Sequence, residues 1–154
     1  MIATPGGLVP ALVTAARSAA AGDRDGFDDA RESLRRWDAE QLSQVQAVAV
    51  RLLLEQVAPD GFSGEDVRER LERTVRWALG WWPDTDVGAL IEVYTAALGM
   101  TDPGGEGPRL SAETLSTHAH LVLADLAAES GTSIEPFVRA GLAELERAQT
   151  VEMP

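Results

Sequence analysis

The sequence predicts an all-α fold, a compact single-domain bundle of about seven helices with the helix near 39–57 at its centre. Three observations predict it. Apolar residues recur at i, i+3, i+4 and i+7 nearly throughout. The breaks between these runs carry helix caps and stops, such as Asp38, Ser63, Pro59-Asp60-Gly61 and Gly131. No stretch alternates with the period of two that a strand needs, and no window repeats at a solenoid period. With 154 residues, positions 1–154 make one domain, long enough to bury a core without staples.

The first helix is expected from Leu8 to Ala20, with Leu12, Val13, Ala16 and Ala20 inward and Gly22 ending it. The second, Arg24 to Trp37, turns Phe27, Ala30, Leu34 and Trp37 inward, and Gly22-Asp23 joins the pair as a helical hairpin. Asp38 caps the third helix, with Gln41 three residues on, and the helix runs to Val57. Ser63 and Asp66 have capping-box spacing and open the fourth, which ends near Trp81 before Pro83. The fifth follows Asp84-Thr85-Asp86 and ends at Gly99. Residues 100–110 form a Gly/Pro-rich loop, the segment expected to be most mobile. The sixth spans Ser111 to Glu129 and stops at Gly131. The seventh opens at Thr132, with Glu135 in capping-box position and Pro136 in the first turn, and ends near Gln149. Residues 1–7 and 150–154 are expected as loose ends.

Helix three is too apolar for a surface helix. Between Val45 and Leu54 its one charge is Arg51, and Leu42, Val45, Ala49, Leu52, Leu53 and Val57 make a face that Val48, Val50 and Leu54 widen. Helix five also carries a single charge, Glu92. Val87, Leu90, Ile91, Tyr94 and Leu98 form its expected inner face, while Val93 and Ala97 lie off it and need a neighbouring helix or a second subunit.

A net charge of −12 repels phosphate backbones and anionic lipid headgroups, so neither nucleic acid nor membrane is expected as a partner. Met1 to Ala16 has no basic residue and is interrupted by Pro5, Gly6, Gly7 and Pro10, unlike a secretory signal, so a cytoplasmic location is expected. The chain has no cysteine, which removes disulfides, thiolate metal sites and a cysteine nucleophile. All thirteen basic residues are arginine and asparagine is absent, a pattern of GC-rich coding rather than of a selected arginine surface.

The most distinctive stretch is Arg68 to Trp82. Arg70, Arg73, Trp77 and Trp81 form a candidate surface for an anionic ligand or a partner peptide, with Arg73 and Trp77 spaced for stacking. Against it, Asp66–Arg70, Glu69–Arg73 and Glu72–Arg76 are favourable i, i+4 ion pairs, and Val67, Leu71, Val75, Ala78 and Trp82 read as an ordinary buried face. His118 and His120 are the two histidines and the candidate acid/base groups. Two residues apart, they flank opposite sides of a helix and lack the spacing of metal ligands, so they read first as residues bordering a buried face. Gly104-Gly105-Glu106-Gly107 bears its own negative charge and lacks a following lysine, so it is no phosphate loop. Asp60 to Asp66 lacks calcium-loop spacing, and Asp84 and Asp86 read as caps. No cofactor and no metal is expected.

Leu126-Ala127-Ala128-Glu129-Ser130-Gly131-Thr132-Ser133, with Val138-Arg139 and Leu142 to Glu146, resembles the helix-turn-helix of winged-helix repressors, with one extra residue near Phe137. That family places the second helix in the major groove. Here that helix bears Glu135, Arg139, Glu144, Glu146 and Arg147, and no β-wing follows it, so the segment is read as an ordinary helical hairpin. The leading functional expectation is a protein-interaction or self-associating module whose partner is another protein or a second copy. The alternatives are a small-molecule-binding regulatory domain with a pocket near Trp77–Trp82, and an enzyme using His118 or His120.

Overall fold

Seven helices make up the described residues, 5–99 and 110–152, of the computed structural model. They are α1 (Pro5–Ala20), α2 (Arg24–Leu34), α3 (Ala39–Val57), α4 (Gly64–Leu79), α5 (Val87–Ala97), α6 (Ala112–Ser130) and α7 (Glu135–Glu152). Residues 100–109, which hold nearly all of the predicted Gly/Pro loop, lie outside them.

The caps form as spaced. Asp38 accepts from the Gln41 N–H at 3.1 Å, and Ser63 and Asp66 close both halves of a capping box at 3.1 Å each. Ser111 accepts from the Thr114 N–H at 3.1 Å, and Gly131 ends α6 at φ 69°, a left-handed conformation that glycine adopts freely. The ends differ more. α1 starts at Pro5, three residues before the expected Leu8, and runs through Pro10; α7 reaches Glu152, so the expected loose ends are partly helical. α7 begins at Glu135 rather than after a Thr132 cap, because its first helical bond runs from the Val138 N–H to the Ile134 carbonyl at 3.0 Å.

α3 packs against α5, α6 and α7, as a central helix should, and buries Leu42, Val45, Gln46, Ala49, Val50, Leu53 and Leu54. α6 shares the centre with it. Every residue from Ser116 to Ala124 is buried, so this segment is enclosed around its whole circumference by α1, α3, α4 and α5. α1 and α2 form the predicted hairpin through Gly22, at φ 65°. α7 crosses α3 at very short range at Gly141: a Cβ built there would sit 2.5 Å from the Val45 carbonyl oxygen. Only glycine lets the two backbones approach so closely.

α5 is rotated from its expected setting. Ala89, Leu90, Tyr94 and Ala97 face inward, while Val87 and Ile91, both assigned to the inner face, are 42% and 44% exposed. Tyr94 is inward as expected and reaches the Thr74 hydroxyl on α4 at 2.9 Å. The small residues Ala89 and Ala97 complete the face against α3, α4 and α6, which leaves Val87 and Ile91 on the outer side. In α1, Ala20 is likewise exposed, and Leu8, Val9, Ala15 and Ala19 join the core instead. No described helix is long and apolar enough to cross a membrane.

Candidate functional site

The structure divides the expected arginine–tryptophan surface. Arg70 and Arg73 turn toward α6, where both bind the Glu129 carboxylate, Arg73 at 3.1 Å; Arg73 also approaches Asp125 at 3.4 Å. The expected pairs of Arg70 with Asp66, Arg73 with Glu69 and Arg76 with Glu72 are not among the ion pairs of the described residues; Glu72 instead pairs with Arg68 at 3.3 Å. The two guanidiniums hold the Glu129 carboxyl below its ordinary range against the opposing effect of burial. Beneath them runs a buried chain of hydroxyls: Tyr94 donates to Thr74 at 2.9 Å, and Thr74 donates to Asp125 at 2.6 Å. Burial pushes the Tyr94 phenol up to about 12, so it stays a neutral donor.

The tryptophans take other partners. Trp81 and Trp82 meet the Phe27 ring edge-on at 5.3 and 5.4 Å, and Trp77 leans on Trp81 at 5.8 Å. The stacking expected between Arg73 and Trp77 is absent from the cation–π contacts of the described residues, where Arg31 lies over Trp82 at 5.3 Å and Arg70 over Phe62 at 5.2 Å. None of the four best-formed cavities is lined by Trp77, Trp81 or Trp82. The groove over Arg70 and Arg73 also holds Arg76 beside Asp66, Glu69, Glu72 and Glu129, so its positive charge is neutralised.

Both histidines are buried more deeply than a border position, at 2% and 1% exposure, and α6 presents them to different neighbours. His118 donates through Nδ1 to the Thr114 carbonyl at 2.7 Å and accepts at Nε2 from the Asp86 backbone N–H at 2.8 Å. Both nitrogens are used, the tautomer is set, and α6 is tied to the N-cap of α5. Burial lowers its pKa, partly opposed by the Thr114 bond and the Asp86 charge.

His120 is only half satisfied. The Gln46 side-chain nitrogen lies 3.1 Å from its Nδ1 and 3.4 Å from its Nε2, and 3.1 Å from the Ser116 carbonyl oxygen. That carbonyl decides how the amide is turned, because an amide oxygen in its place would face another oxygen. An atom that close to both ring nitrogens lies over the face of the imidazole rather than in line with either of them. An amide nitrogen cannot accept, so whichever ring nitrogen carries the proton has no acceptor among the described residues. Burial pushes the pKa of His120 down to about 3, so the imidazole is neutral.

His120 lines a cavity of about 130 Å³ between α2, the start of α3 and the start of α6. Its floor is Leu34, Leu42, Ser116, Thr117 and His120, all buried; Arg31, Arg35, Trp37, Ala39 and Glu113 surround the mouth. Arg35 and Glu113 pair at 2.8 Å, linking α2 and α6 at that mouth. Arg31 donates to the Thr117 hydroxyl at 3.1 Å and pairs with Asp28 at 3.0 Å. The Trp37 indole N–H is enclosed without a partner among the described residues. The unoccupied polar capacity here is thus in donors. No group of three or more acidic or histidine side chains among the described residues is placed to hold a metal ion.

The sequence pointed to His120 but not to its setting, because Gln46, Trp37 and Arg31 come from elements distant in the chain. The resemblance to a helix-turn-helix meets an α7 that packs Val138 and Gly141 inward, with Arg139 paired to Glu135 at 2.8 Å and Glu144 to Arg51 at 3.5 Å. Comparison with known protein families, curated proteins and solved structures returns no match.

Proposed function

We propose that this protein is a small-molecule-binding domain whose ligand enters the cavity between α2, α3 and α6 and presents a neutral carbonyl acceptor to His120 and Trp37. The observation that carries the reading is the His120 ring N–H, which meets only the Gln46 amide nitrogen, at the floor of a cavity. A buried donor left unpaired costs about 1–3 kcal/mol, and a ligand carbonyl recovers that cost.

Volume sets the ligand's size. An apolar cavity of about 150 Å³ holds a benzene molecule, so a space of about 130 Å³ suits a ligand of similar bulk. Charge sets its class. Arg31 and Arg35 are answered by Asp28, Glu32 and Glu113, and the chain as a whole carries −12. That balance favours a neutral amide, ketone or ester over a carboxylate. His120 serves binding rather than proton abstraction in this reading, since burial holds its pKa at about 3 and makes it a weak base.

Butyramide and butyrate, matched in shape, test it by NMR titration. Butyramide is expected to shift the Trp37 indole N–H and the amides from Ser116 to His120, and to bind more tightly than butyrate. Trp37→Phe and His120→Leu each weaken it about fivefold, the value of one hydrogen bond. Equal binding of the two probes, or no shift at these residues, removes the proposal.

A second reading, self-association or docking of a partner protein, is favoured by one observation. Leu79 at the end of α4 and Val87 and Ile91 at the start of α5 are 46%, 42% and 44% exposed, large apolar side chains on either side of one turn. Sedimentation of wild type and Ile91→Glu tests it: a dimer that the substitution dissociates supports it, and a monomer at high concentration ends the self-association form.

A further inference from the structure

A second cavity, lined by Gln46, offers unpaired acceptors where the first offers donors. A groove of about 280 Å³ lies between α3, α5 and the start of α6, walled by Val50, Val93, Ala96, Leu115 and Ala119, with Ser43 and Gln46 also lining it. Gln46 is fully buried and commits its amide nitrogen to Ser116 and His120. Its carbonyl oxygen Oε1 has no hydrogen-bond partner among the described residues, and neither does the Ser43 hydroxyl one helical turn earlier. Buried amide oxygens are rarely left unpaired, and here the bond to Ser116 prevents the amide from turning over to find a partner.

We propose that this groove is a second binding site, for a neutral apolar molecule that carries one N–H or O–H donor and delivers it to Gln46 Oε1, with Ser43 beside it. The groove holds about twice the volume of a benzene-sized cavity, which fits a fused-ring body. The donor is neutral, because an ammonium placed against uncharged acceptors in an apolar floor loses more hydration than they return. Glu92 on the exposed rim is the charged group lining the groove. The site stands independently of the carbonyl-binding cavity. Gln46 connects them: its nitrogen meets His120, which lines the first cavity, and its side chain lines the groove with the oxygen unpaired.

Indole and 1-methylindole are the probes, alike in shape and differing in the N–H. Titrated against the full chain and followed by backbone amide shifts, indole is expected to perturb Val50, Val93, Ala96 and Leu115 rather than Trp37 and Leu34. It should bind about fivefold more tightly than 1-methylindole. Gln46→Met keeps the length and removes the acceptor, so the preference for indole should vanish. Ala96→Phe, on the exposed rim and away from Gln46, should block both probes and decides the matter if Gln46→Met does not fold. A preference that survives Gln46→Met overturns the proposal. So does undiminished binding to Ala96→Phe, or shifts that fall outside the groove.

Discussion

His118 and His120 stand two residues apart on one helix, both buried, both held neutral by burial, and they do different work. His118 spends both ring nitrogens on the backbone, at Thr114 and Asp86, and so joins α6 to the first turn of α5. His120 has one partner, Gln46, and a ring proton left over beside a cavity. Burial alone does not separate a structural histidine from a ligand contact; the count of satisfied ring nitrogens does.

The same substitution at both positions tests the contrast most strongly. His118→Leu strands the Asp86 N–H and frees the Thr114 carbonyl contact and should cost about 3 kcal/mol, whereas His120→Leu strands one Gln46 N–H but also removes an unpaired ring donor and should cost about 1 kcal/mol. Urea unfolding midpoints give the answer, and equal costs would dissolve the distinction.

Acid is the next lever. Both folded pKa values lie below the ordinary histidine value of 6.5, His120 at about 3, so below pH 6.5 the unfolded chain binds more protons than the folded one. The stability linked to this is complete above pH 6.5 and is lost as pH falls toward the folded values. Between pH 6.5 and 5 His120 removes about 2 kcal/mol, at about 1.4 kcal/mol per pH unit, and His118 acts in the same direction. Unfolding across that range should therefore show a shallower pH slope in His120→Leu than in wild type, and an unchanged slope refutes the assignment.

Smaller effects sharpen the comparison. Gln46→Met should cost about 1 kcal/mol and move the His120 ring nitrogen chemical shifts, while the His118 shifts stay put. Arg35→Ala should leave the unfolding midpoint where it is, because Arg35 and Glu113 are exposed, at 58% and 52%, yet speed butyramide association by opening the mouth of the cavity.

What the chain revealed in advance was what neighbours in sequence decide. The caps at Asp38, Ser63 and Ser111 and the stop at Gly131 are bonds over three or four residues, and each formed as spaced. The setting of α5 was misjudged because an almost uniformly apolar helix is oriented by the helices packed on it, and the arginines were assigned to their own helix because Asp125 and Glu129 lie more than fifty positions away. α6 misled for a different reason. His118 read as bordering a buried face, yet it and Thr117 each return a bond to a carbonyl four residues back, at 2.7 and 3.0 Å, and so enter the core already satisfied. His120 was legible as a candidate, but the amide that defines it was not, since nothing about Gln46 distinguishes it from the exposed Gln44 beside it.

The deep burial of α6 has a consequence in time. Backbone amides from Ser116 to Ala124 belong to the longest buried stretch of the described residues, so their exchange with deuterium is expected to be the slowest, near the rate of global unfolding. The turns around Gly22 and Gly80, open to water, exchange long before. A ligand seated against His120 would then be recorded in the slowest-exchanging clock the molecule possesses, as a uniform delay along those nine residues.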